Sequence, residues 1–168
     1  LIDLENSALT KSRLIITPHQ EIADIFINKS HKLEWALPNV SIKKNVKGNK
    51  ILFPASALGR KGAYEVKQLA KELNLCVVVT GQSLEDENFW EGVTTEIAGS
   101  NPFDGISLVV YPTYVEHQPR LILKALAAGL PVVTTTACGL SASENLTIIP
   151  VGDYDALKQK CTALLHSL

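Results

Sequence analysis

ISLVVYPTYVEHQPRLILKALAAGLPVVTTT, residues Ile106 to Thr136, decides how the chain folds. Its two apolar runs, Leu108-Val109-Val110 and Val132-Val133, show no polar alternation, the pattern of strands covered on both faces. About twenty residues separate them, enough for one crossover helix and so for a right-handed βαβ unit. That helix is expected to start near Pro119. The loop ahead of it, TYVEHQPR, then lies at the carboxyl edge of the sheet, where open α/β folds hold their ligands.

Working outward, the alternation of strand and helix stays regular. Ile51-Leu52-Phe53 reads as a buried strand, and PASALGRKG as a loop that opens a helix near Gly62. In that helix Val66, Leu69, Ala70 and Leu73 share one face, opposite Lys67, Lys71 and Glu72. Cys76 to Thr80 is the next strand, closed by Gly81, and Phe89-Trp90 reads as a short third one. Gly99, Pro102 and Gly105 break any long element over 94–105. Leu146 to Ile149 is a further strand. A closing helix from about Asp153, its cap, carries Leu157, Cys161, Leu164 and Leu168 at helical spacing. Such repeated βα units predict an α/β fold with a doubly wound, mostly parallel, Rossmann-like sheet.

Residues 1–37 read differently. Leu14-Ile15-Ile16 is a short strand, and Thr17, Pro18 and Gln20 have capping-box spacing. A helical stripe of Ile22, Ile25 and Phe26 follows, then a second short strand over Leu33 to Leu37. PNVSIKKNVKGN, residues 38–49, is polar, basic and turn-rich, which marks a linker and places the main domain at 50–168.

At 168 residues, 46% hydrophobic and 20% charged, the chain is sized for one domain, or one and part of another. A net charge of −1 gives no electrostatic case for nucleic acid. No apolar run approaches the roughly 18 residues of a membrane span. Asp3 and Glu5 stand where a signal peptide would be basic. Cys76, Cys138 and Cys161 are an odd set without paired spacing, which fits reduced thiols and a cytoplasmic protein. The chain begins at Leu1 and contains no Met, so a piece of a longer protein is expected, with part of the site in the remainder.

Several motifs are missing. Gly59 and Gly62 do not make a G-x-G-x-x-G fingerprint, there is no P-loop, and Pro54-Ala55 is not the acid cluster of a phospho-receiver. His19, His31, His117 and His166 show no metal-ligand spacing, and Ser141 and Ser143 sit in no nucleophile elbow. Two loops on one sheet edge remain. Gly59-Arg60-Lys61-Gly62 opens a helix, where free N–H groups and two cations could hold a phosphate; a solvated turn would look the same. Glu116, Arg120 and Lys124 follow at i, i+4 and i+8 and would share a helix face if the helix reached back to Glu116. A salt-bridged stripe has the same spacing, and a carboxylate ahead of a helix is also a common cap. Together the loops suggest an anionic ligand with hydroxyls.

EHQPRLILKALAAGLPVVTT, residues 116–135, resembles the signature of the GT-B retaining glycosyltransferases of the group-one, glycogen-synthase-like superfamily. That signature is an acid, seven residues, a second acid, then a small apolar run ending in G-x-P-V-V, here Gly129 to Val133. Val109 to Thr113 is similar to the strand ending in Pro-Ser that precedes it, and Phe53 to Gly62 to a phosphate-binding loop with Arg, four residues and Lys-Gly. The likeness covers about residues 50–166, which it implies are the C-terminal, donor-binding domain; residues 7–37 resemble the tail of the N-terminal domain. Two positions depart from the pattern: Lys124 replaces the second acid, which in such enzymes holds the ribose hydroxyls, and Ser56 replaces the phosphate-binding Arg.

The resemblance implies a donor-binding domain of a glycosyltransferase that moves a sugar from a nucleoside-diphosphate sugar, of UDP or GDP type, to a glycan or lipid-linked acceptor. It assigns the donor-sugar contact to Glu116 and nucleotide or phosphate contacts to Ser56, Arg60, Lys61, Gly81, Gln118, Arg120, Leu121 and Lys124. No cofactor and no metal are expected. The partner is the N-terminal GT-B domain, and peripheral membrane association of the full protein stays open. The rival readings are a catalytically degenerate GT-B domain serving as scaffold or partner subunit, and a sugar-nucleotide epimerase.

Overall fold

The computed structural model describes residues 2–39 and 47–167. The chain divides into two compact units, Leu1–Ala36 and Leu37–Leu168. The stretch 40–46 of the expected linker and Leu168 of the closing helix lie outside the described residues.

In the first unit, helix α1 (Ile2–Lys11) precedes strand β1 (Ile15–Thr17), helix α2 (Gln20–Ile25) and strand β2 (Ser30–Lys32). β1 and β2 pair in parallel, Ile15 opposite Ser30. Two expectations shift here. The helix starts at Gln20, not after a Thr17 cap, because Thr17 Oγ1 accepts the His19 N–H at 3.1 Å and so closes a turn ahead of it. The second strand is Ser30–Lys32 and not Leu33–Leu37, because the ladder with β1 runs from Ile15 N–Lys29 O (2.7 Å) to Leu33 N–Thr17 O (2.9 Å) and ends there.

The second unit is a six-stranded parallel sheet in the order β5-β4-β3-β6-β7-β8. Its strands are β3 (Lys50–Phe53), β4 (Cys76–Val79), β5 (Thr94–Ile97), β6 (Leu108–Tyr111), β7 (Val132–Thr135) and β8 (Leu146–Ile149). Helix α3 (Ala63–Leu73) joins β3 to β4, α4 (Arg120–Ala127) joins β6 to β7, and α5 (Tyr154–Ser167) packs back on β6, β7 and β8. This is the doubly wound, Rossmann-like sheet expected. Chain order reverses between β3 and β6, where Ile51 pairs with Leu108 and Leu52 with Val109. Right-handed crossovers therefore place α3 and α4 on opposite faces.

The sequence pattern explains the layering. Every residue of β6 and β7 is buried, as uninterrupted apolar runs require. Ala63, Val66, Leu69 and Ala70 bury one face of α3. Ile51, Leu52, Phe53, Leu69, Leu108, Ile122 and Leu157 are fully enclosed, each contributing about 1.5–3 kcal/mol by leaving water. Asp153 Oδ1 accepts the Ala156 N–H at 2.9 Å and caps α5, which is tied to α3 by Lys158 Nζ on Glu72 Oε2 at 2.9 Å.

Phe89-Trp90 is not a strand. It lies in a turn, where Phe89 packs edge-on against Tyr64 (ring centroids 5.1 Å apart) and Trp90 against Phe53 (5.8 Å). The third strand falls instead on Thr94–Ile97, inside the segment that glycines and a proline interrupt. It forms one edge of the sheet, all its residues are exposed, and Lys50 of β3 reaches past β4 to its Glu96 at 2.7 Å.

Candidate functional site

The reversal of strand order opens the sheet at the carboxyl ends of β3 and β6, and the two loops leaving those ends meet there. Gly62 lets them close. It sits at φ +80°, and a Cβ on it would lie 2.3 Å from the Pro112 carbonyl oxygen. Two hydrogen bonds complete the seam: Tyr114 N–H donates to Arg60 O at 2.9 Å, and the Thr113 hydroxyl to the same oxygen at 3.2 Å. The Gly59–Lys61 turn is thereby pinned beside residues 113–118.

Lys61 and Glu116, from these two loops, form an ion pair of 2.9 Å, with side chains only 15% and 11% exposed. Glu116 sits at the centre of a small network. Its Oε1 accepts the N–H groups of His117 and Gln118, both at 2.8 Å. Its Oε2 accepts Lys61 Nζ and the Tyr111 hydroxyl. A carboxylate offers about four acceptor positions, so all are taken. Lys61 also donates to Val115 O at 2.9 Å, leaving one of its three N–H groups for a ligand. Its ammonium lies 5.7 Å from the centre of the Tyr111 ring, within cation–π range.

The electrostatics follow from this network. Burial works to raise the Glu116 pKa, but the hydrogen bonds from Tyr111, the Gln118 N–H and Lys61 outweigh it and bring the carboxyl down to about 2. Burial first, and then the Glu116 carboxylate, push the Tyr111 phenol far above its usual range, so it stays a donor.

A cavity of about 220 Å³ opens beside the pair, lined by Pro54, Tyr111, Glu116, Gln118, Pro119, Arg120, Leu121 and Ile122. Four of the residues singled out from sequence are in its wall: Glu116, Gln118, Arg120 and Leu121. Lys61 joins through its ion pair. Arg60 is exposed and contributes its backbone carbonyl to the seam. Ser56 and Gly81 lie against each other away from the cavity wall: a Cβ on Gly81 would come within 2.6 Å of the Ser56 backbone. Lys124 is exposed on the second turn of α4.

The shared helix face of Glu116, Arg120 and Lys124 is not formed. Helix α4 starts at Arg120, because Glu116 folds its own loop back through the two N–H groups and Pro119 takes the capping position. Arg120 Nη2 instead donates to Gln118 Oε1 at 2.6 Å. The residue missed from sequence is Tyr111; its one signal was a phenol at the last position of a buried strand, five residues ahead of the acid.

The three cysteines are free and buried. Among the described residues no three His, Cys, Asp or Glu side chains gather as a metal site. No helix among them is long and apolar enough to cross a membrane.

Solved structures share this fold, among them the following three. A mutant of S. aureus TarM in complex with fondaparinux, alpha-GlcNAc-glycerol and UDP superposes with a TM-score of 0.69 at 14% identity, over 94% of this chain and 38% of that one. The GtfA/B complex gives 0.69 at 12%, over 96% and 40%. The lipopolysaccharide outer core galactosyltransferase WaaB, in its apo form, gives 0.67 at 11%, over 94% and 54%. The chain thus spans between 38% and 54% of the length of these structures. No curated protein matches it in sequence. Residues 41–167 match the family model described as glycosyl transferases group 1. With three-quarters of its length inside that match and the sheet to go with it, the chain belongs to the group 1 glycosyltransferases.

Proposed function

We propose that this chain is the donor-binding half of a glycosyltransferase that moves a sugar from a nucleoside-diphosphate sugar to a glycan or lipid-linked acceptor. The observation that carries the reading is the meeting of Lys61 and Glu116 at the switch point of the sheet, beside a cavity walled by the start of α4. The diphosphate rests against the Lys61 ammonium, Arg120 and the N-terminal end of α4, with Arg60 as a further cation at the rim. Glu116 takes sugar hydroxyls, Gln118 and Leu121 support the nucleotide, and Lys124 faces the ribose. Ser56 and Gly81 shape the loop behind the phosphates. Fixed cations and N–H groups stabilise the departing diphosphate by electrostatic preorganisation, which does not require a metal.

About 220 Å³ is below the roughly 300–1,000 Å³ of a complete small-molecule site, so a second wall is needed. We assign that wall, and the acceptor site, to a preceding GT-B domain of which residues 1–37 are the tail. The two-stranded parallel sheet of the first unit and its open Ile16, Ile25 and Ile27 support this assignment. The setting proposed is cytoplasmic polysaccharide biosynthesis.

A second reading, a degenerate domain acting as scaffold or partner subunit, is favoured by one observation: Lys61 and Glu116 neutralise each other, with Ser56 in place of a further cation. Calorimetric titration with UDP, GDP and UDP-sugars separates the two. Saturable heat with UDP or GDP is expected; none at millimolar ligand refutes the donor site and leaves the scaffold.

A further inference from the structure

We infer that Tyr111 is a positioning residue that holds the Glu116 carboxylate in place when Lys61 turns from it to the ligand. The inference rests on the donor-site reading and extends it to how the site changes on binding. Two of the Glu116 contacts are backbone N–H groups of its own loop, and a third is the hydroxyl of a residue 3% exposed at the end of β6. Those three partners are fixed. The fourth, Lys61 Nζ, ends a flexible chain, and its ammonium is also the charge a diphosphate would draw. Its departure leaves one acceptor position open on Oε2, next to the cavity, which a sugar hydroxyl can fill.

The phosphate end of the donor therefore prepares the contact for its sugar end. This works only if the carboxylate stays ionised and aimed after losing its cation. The backbone N–H groups hold Oε1 alone, so Oε2 depends on Tyr111. The packing supports such a role: the Tyr111 ring lies 6.4 Å from that of Phe53, and Thr134 Oγ1 donates to Tyr111 O at 2.8 Å, so both ring and backbone are braced by neighbouring strands.

The test compares the 168-residue chain with Tyr111→Phe, which keeps the ring and removes only the hydroxyl. The Glu116 carboxyl is followed by carbon-13 NMR across a pH titration, with and without saturating UDP, and UDP affinity is measured by calorimetry. With UDP, the wild-type carboxyl is expected to titrate well below 4.5, and that of Tyr111→Phe to move up by about one to two units, the scale of one lost charge-assisted hydrogen bond. UDP affinity itself should change by less than about threefold, because the phosphate contacts are untouched. Equal midpoints in the two UDP complexes overturn the inference. Absence of UDP binding by the wild type overturns the donor-site reading, and the ligand-free midpoints then decide whether Tyr111 holds Glu116 at all.

Discussion

Replacing Lys61 by Ala tests the site in two independent ways. The substitution removes the 2.9 Å contacts to Glu116 and Val115 and leaves a carboxylate that is 11% exposed with Tyr111 and two N–H groups as partners. Exposed ion pairs are worth about 0–1 kcal/mol, while stranding one partner of a buried pair costs about 3–5 kcal/mol. Side chains 15% and 11% exposed fall between these limits, so a loss near 2 kcal/mol is expected, or roughly 4–8 °C in Tm for a chain of this size. Ligand affinity is a separate quantity. The Lys61 ammonium would make a charge-assisted hydrogen bond to a phosphate oxygen, worth about 1–3 kcal/mol, so the UDP dissociation constant should rise about five- to 150-fold. Thermal unfolding without ligand and calorimetry with UDP read the two effects apart. An unchanged dissociation constant removes Lys61 from phosphate binding even if Tm falls. An unchanged Tm would show that the ion pair contributes nothing.

Three other outcomes are expected. Gly62→Ala should cost more than about 2 kcal/mol in urea unfolding, since alanine is strained at φ +80° and its Cβ would meet the Pro112 carbonyl at 2.3 Å. Lys124→Glu lies on an exposed turn, so stability should shift by less than about 0.5 kcal/mol while UDP affinity rises; loss of folding would make Lys124 structural. Glu116 has a folded pKa of about 2 against 4.5, so its stabilisation is full above pH 4.5 and lost as pH falls towards 2. Lys61→Ala raises the folded pKa, and the urea midpoints of the two proteins should converge through that window.

The central βαβ unit was legible because its strands are buried on both faces, and a run such as Leu108-Val109-Val110 admits few other readings. Strand β5 was not. Among the described residues Thr94–Ile97 has a strand neighbour on one side only, and it has no buried residue, while the adjacent Phe89-Trp90 carries the apolar signal of a strand but spends it packing on Phe53 and Tyr64. Helix α1 escaped for a similar reason, since none of its residues is buried and no stripe marks it. In the site, the approach of Lys61 to Glu116 could be anticipated from where ligands gather in such sheets. The full occupancy of the Glu116 carboxylate could not, because it depends on a turn that folds two N–H groups onto Oε1 and on a phenol that reads as ordinary core.

The exposed rim at β5 bears on self-association at high concentration. A parallel strand with an open side offers a row of unpaired N–H and C=O groups, the template on which unwanted sheet-to-sheet stacking begins. Ile97 at 89% exposure would favour such stacking, and Glu96 opposes it as a charge on the same strand. Because Lys50 grips Glu96 at 2.7 Å, that gatekeeper is fixed in position at the cost of part of its repulsion. Resistance to such stacking at this edge therefore draws on the Lys50–Glu96 pair, which is outside the wall of the Glu116 cavity, and an acid or lysine introduced at Ile97 is the direct way to improve it.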